Sequence, residues 1–277
     1  MRITVPNDTV NIDDTVSPLH HFGAEVRLER ERLGMSRADF GKIACCSYSL
    51  VAKIEVGERV PTLDFARVCD DVFPHSNGRF VRFWPLALRY AFPPWFRPYA
   101  ELEWTATVVR MFHPQLFPGL VQTPDYARAV LSTGRPANLD DLVTARIERQ
   151  RILSRDENPA RLWVTLNESV LTNTVGDAAV MRLQLLRLRD LAETPHHRVQ
   201  IIRDSGQHHG WASPWNLLAF NEGAGVVHVD GFPRGYNLAD PGDVAQAQDA
   251  YDLLTAMAEP PHKTAELIDS VLKGHYV

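Results

Sequence analysis

Apolar residues at helical spacing between positions 23 and 72 predict four short helices. Residues 23–33 place apolar side chains among acidic and basic ones, which is typical of a helix on a protein surface. Ser36 and Ser47 each precede another such pattern, and a hydroxyl at this position can accept a free N–H group of a first helical turn. The pattern after Ser47 ends at Gly57, a common helix terminator. Residues 63–72 predict the fourth helix.

The predicted helices bury apolar side chains on one face. These side chains are Ala38, Phe40, Ile43 and Ala44 in the second helix, Leu50, Val51 and Ile54 in the third, and Leu63, Phe65, Ala66 and Cys69 in the fourth. The outer face of the third helix is then formed by Ser47, Tyr48, Ser49, Ala52 and Lys53. A short helix with small polar side chains and a lysine on its outer face suits the major groove of DNA.

Residues 100–277 mix helical patterns with strand patterns. Helices are predicted over residues 101–112, 139–154, 177–193, 244–258 and 264–273, and a further helix starts at Thr123 and Pro124. In the helix over 177–193, the side chains predicted to face inward are Val180, Leu183, Leu186 and Leu191. Strands are predicted over residues 161–166, 199–202, 215–220 and 226–229. Since helices and antiparallel strands occupy separate runs, the predicted fold class is α+β.

Charge, cysteine content and hydropathy argue against a strongly basic DNA-binding protein, a disulfide-stabilised protein and a membrane protein. The net charge is −5 over 277 residues, and residues 23–71 carry 8 Lys and Arg against 9 Asp and Glu. DNA affinity in this region must therefore come from local placement of side chains and not from bulk charge. Three cysteines, two of them adjacent, match neither a disulfide framework nor a metal site. With no transmembrane-length apolar run and no signal peptide at the N-terminus, we expect a cytoplasmic protein that does not enter membranes.

Residues 27–61 carry a specific helix-turn-helix signature. The matching positions are Arg27, Leu33, Gly34, Met35, Ser36, Arg37, Phe40, Gly41, Ile43, Ala44, Ser47, Leu50, Val51, Ile54, Glu55, Gly57, Arg59 and Pro61. With this spacing the segment resembles the lambda-repressor-like, or xenobiotic-response-element, helix-turn-helix family. That family usually has glycine at the turn between its second and third helices, where this chain has Cys45 and Cys46.

The resemblance implies double-stranded operator DNA as a partner. The implied contacts are Tyr48, Ser49 and Lys53 with base edges, and Arg37, Ser47 and Arg59 with phosphates. The alternative for each of them is an ordinary solvated surface residue. The resemblance also implies a structural ion pair between Arg30 in the first helix and Glu55 after the recognition helix.

A second resemblance covers residues 95–258. It is carried by residues 118–128, by Arg146, Arg149, Gln150, Leu153, Asn167, Glu168, Leu171, Gly176, Met181, Gln184, Leu185 and Leu188, and by residues 215–220. These motifs look like the uncharacterised domain of antitoxin-like regulators from high-GC Gram-positive bacteria. The resemblance implies a DNA-binding regulator that is often encoded beside a short partner protein. It implies no catalytic residue.

These patterns divide the chain into four parts. They are a flexible arm (residues 1–18), a helix-turn-helix domain (19–75), a connector rich in aromatic residues and proline (76–98), and an α+β domain for regulation or interaction (99–277). The connector carries too many aromatic residues for a solvated linker. It is interpreted as a segment docked on both domains, with a dimer contact or a membrane-surface segment as alternatives.

Histidines and arginines are the other candidates for chemistry. Adjacent histidines at 196–197 and 208–209 invite a metal or general-base interpretation. However, neighbouring side chains on a strand point to opposite faces, and no Cys or carboxylate lies nearby at the spacing of metal ligands. Arg146, Arg149 and Arg151 are candidates for binding an anionic ligand or an acidic partner, and the alternative is a solvated face with Glu148 and Asp156. No nucleophile elbow, P-loop or dinucleotide motif occurs, so we expect no enzyme activity, cofactor or metal.

The patterns and resemblances together predict a sequence-specific transcriptional regulator, most simply a homodimeric repressor. Its C-terminal domain is predicted to bind a partner protein or a ligand. The alternative is an antitoxin-like interaction module that sequesters a small protein encoded nearby, with DNA binding secondary.

Overall fold

A computed structural model describes residues 17–203 and 213–276 of the chain. The chain divides into two compact units between Tyr90 and Ala91. Residues 1–16 of the predicted N-terminal arm lie outside the described residues. The last two residues of that arm, Ser17 and Pro18, cap and begin the first helix.

The first unit is helical. Within residues 17–90 its helices are α1 (Pro18–Arg32), α2 (Arg37–Ile43), α3 (Tyr48–Glu55), α4 (Leu63–Val72) and α5 (Arg79–Arg89). The four predicted helices and both predicted serine caps are confirmed: Ser36 accepts the N–H of Asp39, and Ser47 that of Leu50, each at 3.1 Å. Between α2 and α3, Cys45 has a φ of 50°, a left-handed conformation that glycine adopts more easily.

Aromatic rings form much of the core of the first unit. The rings of Phe40 and Phe73 stack with their centroids 5.0 Å apart, and Phe40 is fully buried as predicted. The predicted inward positions of Ala38 and Ile43 are wrong, since Ala38 is exposed and Ile43 is 48% exposed. Helix α2 has only seven residues, and Phe40 is the one large side chain that it buries.

Helix α5 lies in the segment predicted as a connector, but it packs into the first unit. Trp84 is buried and donates its Nε1–H to the carbonyl oxygen of Pro61 at 2.9 Å. The carboxylate of Asp70 in α4 caps α5, because it accepts the N–H groups of Phe80 and Val81 at 3.1 and 2.8 Å. Phe80 and Trp84 of this half of the segment therefore complete a core, while residues from Ala91 onward belong to the second unit.

The second unit combines helices with a sheet. Its described helices are α6 (Arg97–Thr105), α7 (Pro124–Ser132), α8 (Leu139–Arg149), α9 (Ser169–Thr172), α10 (Ala178–Glu193), α11 (Pro241–Met257) and α12 (Pro261–His275). Its described strands are β1 (Val108–His113), β2 (Arg161–Asn167), β3 (Arg198–Ile202), β4 (Trp215–Ala219), β5 (Val226–Val229) and β6 (Tyr236–Leu238). Short 3₁₀ turns lie at Gly119–Val121 and Gln150–Leu153. The α+β class is confirmed.

The described strands form one mixed sheet in the order β3-β2-β1-β4-β5-β6. Strands β1, β2 and β3 run parallel, with Val108 opposite Arg161 and Trp163 opposite Arg198. Strands β4, β5 and β6 continue the sheet in antiparallel order. The expectation of antiparallel strands alone is therefore wrong for half of the sheet. Parallel neighbours need long crossover connections. Helices α7 and α8 lie in the connection from β1 to β2, and α9 and α10 lie in the connection from β2 to β3.

The helix predicted over residues 101–112 is wrong in its second half. Helix α6 ends at Thr105, and β1 begins at Val108. Residues 105–109 read Thr-Ala-Thr-Val-Val, and β-branched side chains favour strands over helices. Pairing of β1 with β2 on one side and β4 on the other makes it a central strand.

Helix α10 buries a face next to the predicted one. Leu191 is buried as predicted, whereas Leu183 is 51% exposed. The other buried side chains of α10 are Met181, Gln184, Leu185 and Leu188. Gln184 donates to the carbonyl oxygen of Val121 and accepts the N–H of Thr123, both at 2.8 Å. This amide ties α10 to the turn that precedes α7.

Candidate functional site

Helix α3 presents the predicted recognition surface. Its cap Ser47 starts the helix, and its inner face buries Val51 and Ile54 in the core. The side chains of Tyr48, Ser49 and Lys53 are exposed on the other side, as is that of Ser47, while Arg59 beyond the helix is half-buried. The structure thus brings the four predicted residues of α3 to one accessible surface. Lys53 is exposed, so its ammonium group can reach a ligand.

Two arginines bind a single buried carboxylate at the end of α3. Glu55 has a fully buried side chain, and Arg30 of α1 donates to it through Nε at 2.5 Å and Nη2 at 3.2 Å. The predicted pair of Arg30 and Glu55 is therefore present. The hydrogen bond to Glu55 raises the pKa of Arg30. Arg30 also donates Nη1–H to the carbonyl oxygen of Met35 at 2.7 Å, which links the end of α1 to the start of α2.

Arg37 is the second arginine on Glu55, a contact that sequence reasoning missed. Its Nε donates to Glu55 at 2.7 Å, and the hydrogen bond raises the pKa of Arg37. Its guanidinium carbon lies 5.9 Å from the ring centroid of Tyr48, and Nη1 is 3.5 Å from the Tyr48 hydroxyl. The predicted phosphate contact of Arg37 stays a prediction, and its side chain remains 27% exposed.

Close backbone approaches set the position of α3. A Cβ atom on Gly23 of α1 would lie 2.1 Å from the carbonyl oxygen of Ile54, so only glycine allows α1 to contact the end of α3. A Cβ atom on Gly41 of α2 would lie 2.7 Å from the carbonyl oxygen of Cys46, in the turn before α3. The exposed surface of α3 is therefore carried by a rigid three-helix arrangement.

The arginine cluster of α8 and its following turn is split by the fold. Arg149 is buried and lies 2.8 Å from Glu103 of α6, with its guanidinium 5.0 Å from the ring centroid of Phe96. Arg146 lines a cavity, whereas Arg151 pairs with Glu148 at 2.7 Å and does not line it. The solvated-face interpretation is therefore wrong for Arg146 and Arg149.

The two pairs of adjacent histidines, at 196–197 and 208–209, are the candidates for a metal site. Residues 208–209 lie outside the described residues. His197 precedes β3 and accepts the backbone N–H of Leu162 through Nδ1 at 3.3 Å, and burial lowers its pKa. Across residues 17–203 and 213–276, no three side chains of His, Cys, Asp or Glu form a group that could hold a metal ion.

The helices, the buried Glu55 and the exposed α3 define a helix-turn-helix protein of the DNA-binding class. In comparison with known families, residues 21–73 match a helix-turn-helix domain. Residues 96–270, more than half of the chain, match the family described as domain of unknown function DUF5753, and the chain belongs to this family. No curated protein and no solved structure gave a significant match. None of the described helices is both long and apolar enough to cross a membrane.

Proposed function

We propose that the protein is a sequence-specific DNA-binding transcriptional repressor of the lambda-repressor-like type that acts in the cytoplasm. The observation that carries this proposal is the exposed outer face of α3. Tyr48, Ser49 and Lys53 lie there on a helix whose other face is buried in a helix-turn-helix core. Lys53 can donate to guanine in the major groove, and Tyr48 can contact a thymine methyl group or a phosphate.

The proposed active form is a homodimer. Residues 23–71 carry 8 basic and 9 acidic side chains, so one copy has little general attraction for the phosphate backbone. Two copies on a palindromic operator add their base contacts, which compensates for the weak contribution of charge.

The test is binding-site selection on random duplex DNA, followed by footprinting of the selected site. The double variant Lys53→Ala with Tyr48→Ala should lose the footprint, because each lost base contact weakens specific binding by about 1–3 kcal/mol. The matched control is Lys42→Ala, since Lys42 is an exposed lysine on α2 that pairs with Asp39 at 3.7 Å. An unchanged footprint with the double variant contradicts the assignment of α3 as the reading helix.

A second candidate function is an antitoxin-like module that binds a small protein encoded nearby. It is favoured by the edge of the sheet formed by β6, where Tyr236 is 55% exposed and the neighbouring Phe232 is fully exposed. An edge strand offers free backbone groups to a strand of a partner. The test is a pull-down with the product of the adjacent gene, in which Phe232→Ser should weaken capture and Leu253→Ser, an exposed change on α11, should not. Capture unaffected by Phe232→Ser contradicts this interface.

A further inference from the structure

The second unit contains a cavity of about 230 Å³ among α6, β1, α7, α8 and β4. Apolar side chains form part of its wall, among them Met111, Phe117 and Val130. Polar and charged side chains form the rest, above all Arg146, with His113 and Asp230. Small-molecule sites in proteins combine an apolar wall with a few placed polar groups in this way, and this cavity is somewhat smaller than the usual range of about 300–1,000 Å³, so it suits a small ligand.

Arg146 is a cation in this wall that forms no direct ion pair among the described residues, although the carboxylates of Asp230 and Glu103 are near enough to act on its pKa. Among the described residues it makes one hydrogen bond, from Nη1 to the amide oxygen of Gln122 at 2.9 Å, and no ion pair. Its neighbour Arg149 differs, because the carboxylate of Glu103 lies 2.8 Å from it. Burial, with the nearby charge of Arg149, lowers the pKa of Arg146 to about 10, so Arg146 is still charged at neutral pH. A sheltered guanidinium with N–H donors that no carboxylate occupies can bind an oxyanion through charge-assisted hydrogen bonds.

The wall beside Arg146 is held in place by the turn at Pro118 and Gly119. A Cβ atom on Gly119 would lie 2.5 Å from Nη2 of Arg149 and 2.9 Å from Cδ of Arg146, so glycine is required for both arginines to pack there. Gln150 fixes the same turn, since its Nε2 donates to the carbonyl oxygens of Gly119 and Gln122 at 2.9 and 2.7 Å. The guanidinium is therefore positioned before any ligand arrives, which reduces the cost of binding.

Other polar groups in the cavity complement a ligand that carries both an anionic group and an N–H or O–H donor. Burial lowers the pKa of His113, which is hydrogen-bonded to Asn216 at 3.0 Å and adds no positive charge at neutral pH. Burial acts to raise the pKa of Asp230, but the hydrogen bond from His228 and the nearby charge of Arg149 contribute to lowering it overall, so Asp230 is ionised. Arg146 thus offers donors to an anion, while Asp230 offers an acceptor to a ligand N–H or O–H group.

We propose that this cavity binds a small organic oxyanion, a carboxylate or a phosphate monoester. Its anionic group binds to Arg146, and its apolar body lies against Met111 and Phe117. This inference rests on the proposed function in one respect, because only a regulator would use the bound oxyanion as a signal. Binding itself requires no DNA.

The test is isothermal titration calorimetry of the full chain without DNA. Salicylate is the carboxylate probe, phenyl phosphate is the phosphate probe, and benzyl alcohol is the uncharged control. We expect a Kd below about 1 mM for at least one of the two anions and weaker binding of benzyl alcohol. The anion that binds more tightly identifies which of the two sources of the oxyanion the cavity prefers.

Three variants locate the site. Arg146→Gln should weaken binding of the anion by at least about tenfold, because it replaces charge-assisted hydrogen bonds by neutral ones. Arg146→Lys keeps the charge and should retain part of the affinity. Arg151→Gln is the matched control: Arg151 follows α8 and does not line the cavity, so the affinity should be unchanged. Circular dichroism checks the fold of each variant.

Three results would overturn the proposal. They are a Kd weaker than about 1 mM for both anions, equal affinity for benzyl alcohol, or unchanged affinity in both Arg146 variants. If Arg146→Gln does not fold, the variant Arg146→Lys decides. An anion site is contradicted if Arg146→Lys binds the anion as tightly as the wild type does and also binds benzyl alcohol equally well. None of these results bears on DNA binding by α3, which the selection experiment tests separately.

Discussion

Replacing Glu55 by glutamine removes the charge shared by two arginines at the end of α3. The amide keeps the shape of the side chain but leaves Arg30 of α1 with no buried counter-ion. Arg30 keeps only 7% of its side-chain surface exposed, so water cannot easily take over the lost interaction. We therefore expect Glu55→Gln to destabilise the first unit and to loosen α3 relative to α1 and α2.

The size of the effect follows from the burial of the pair. Breaking a buried ion pair by removing one partner costs about 3–5 kcal/mol, because the other charge stays buried alone. We expect the lower end, about 3 kcal/mol, because the amide oxygen still accepts a hydrogen bond. Arg37 can also turn to solvent, since its side chain is 27% exposed. A loss of about 3 kcal/mol makes opening of the unit about 150-fold more frequent.

Hydrogen exchange of the full chain measures this effect in the first unit alone. Peptides from α4, with Phe65 and Cys69 in the core, report global opening of that unit. Their slowest amides should exchange about 150-fold faster in Glu55→Gln than in the wild type. Peptides from α10 in the second unit provide an internal reference within the same sample.

A matched carboxylate lies close by on the surface. Glu31 also accepts from Arg30, at 3.4 Å, but its side chain is 50% exposed. The variant Glu31→Gln should leave the exchange of α4 within about threefold of the wild type, because exposed pairs contribute little. If Glu55→Gln speeds exchange by less than about fivefold, a factor too small for loss of a buried pair, the reasoning about Glu55 is wrong.

Three further predictions concern single side chains. Asp70→Ala removes the cap of α5 and should destabilise the first unit by about 1–2 kcal/mol in urea unfolding, whereas no change would mean that α5 needs no cap. Gly119→Ala forces Arg149 away from its place in the second unit and should cost about 1–3 kcal/mol in thermal unfolding; a wild-type melting curve would contradict the tight contact. Burial lowers the pKa of His113 below the 6.5 of a free histidine, so the unfolded chain takes up the proton first and stability falls as the pH drops below 6.5. His113→Gln should therefore reduce the loss of stability between about pH 7 and pH 5, and an identical loss in both proteins would exclude His113 as its source.

Local patterns predicted the first unit well because its structure depends on short-range signals. Ser36, Ser47 and Thr62 cap α2, α3 and α4 through hydrogen bonds to residues three positions further on. These bonds form within one turn, so their pattern is visible in the sequence. The pairing of Arg30 with Glu55 is not local, and it was accessible only through the resemblance to a helix-turn-helix family. The second bond to Glu55, from Arg37, was not foreseen.

Predictions failed where distant residues decide the environment. Val108 and Val109 continue a helical pattern in sequence, yet pairing with two neighbouring strands makes them part of β1. Leu183 is apolar and sits on a helix, but the sheet and α12 contact the other side of α10, so Leu183 is exposed. Helix α5 reads as a proline-broken connector, although Asp70 and the carbonyl of Pro61 provide it with long-range partners.

By itself, the sequence determined helices α1 to α4 and the serine caps of α2 and α3, the exposed residues of α3 and the α+β class of the second unit. Each of these depends on the spacing of residue types over a few turns. The tertiary structure decided the parallel half of the sheet and the different fates of Arg146, Arg149 and Arg151. These three arginines lie within six positions in sequence, but Arg146 lines a cavity, Arg149 faces the buried carboxylate of Glu103, and Arg151 pairs with Glu148 three positions before it. Burial and counter-ions come from residues far away along the chain, so spacing alone could not distinguish them.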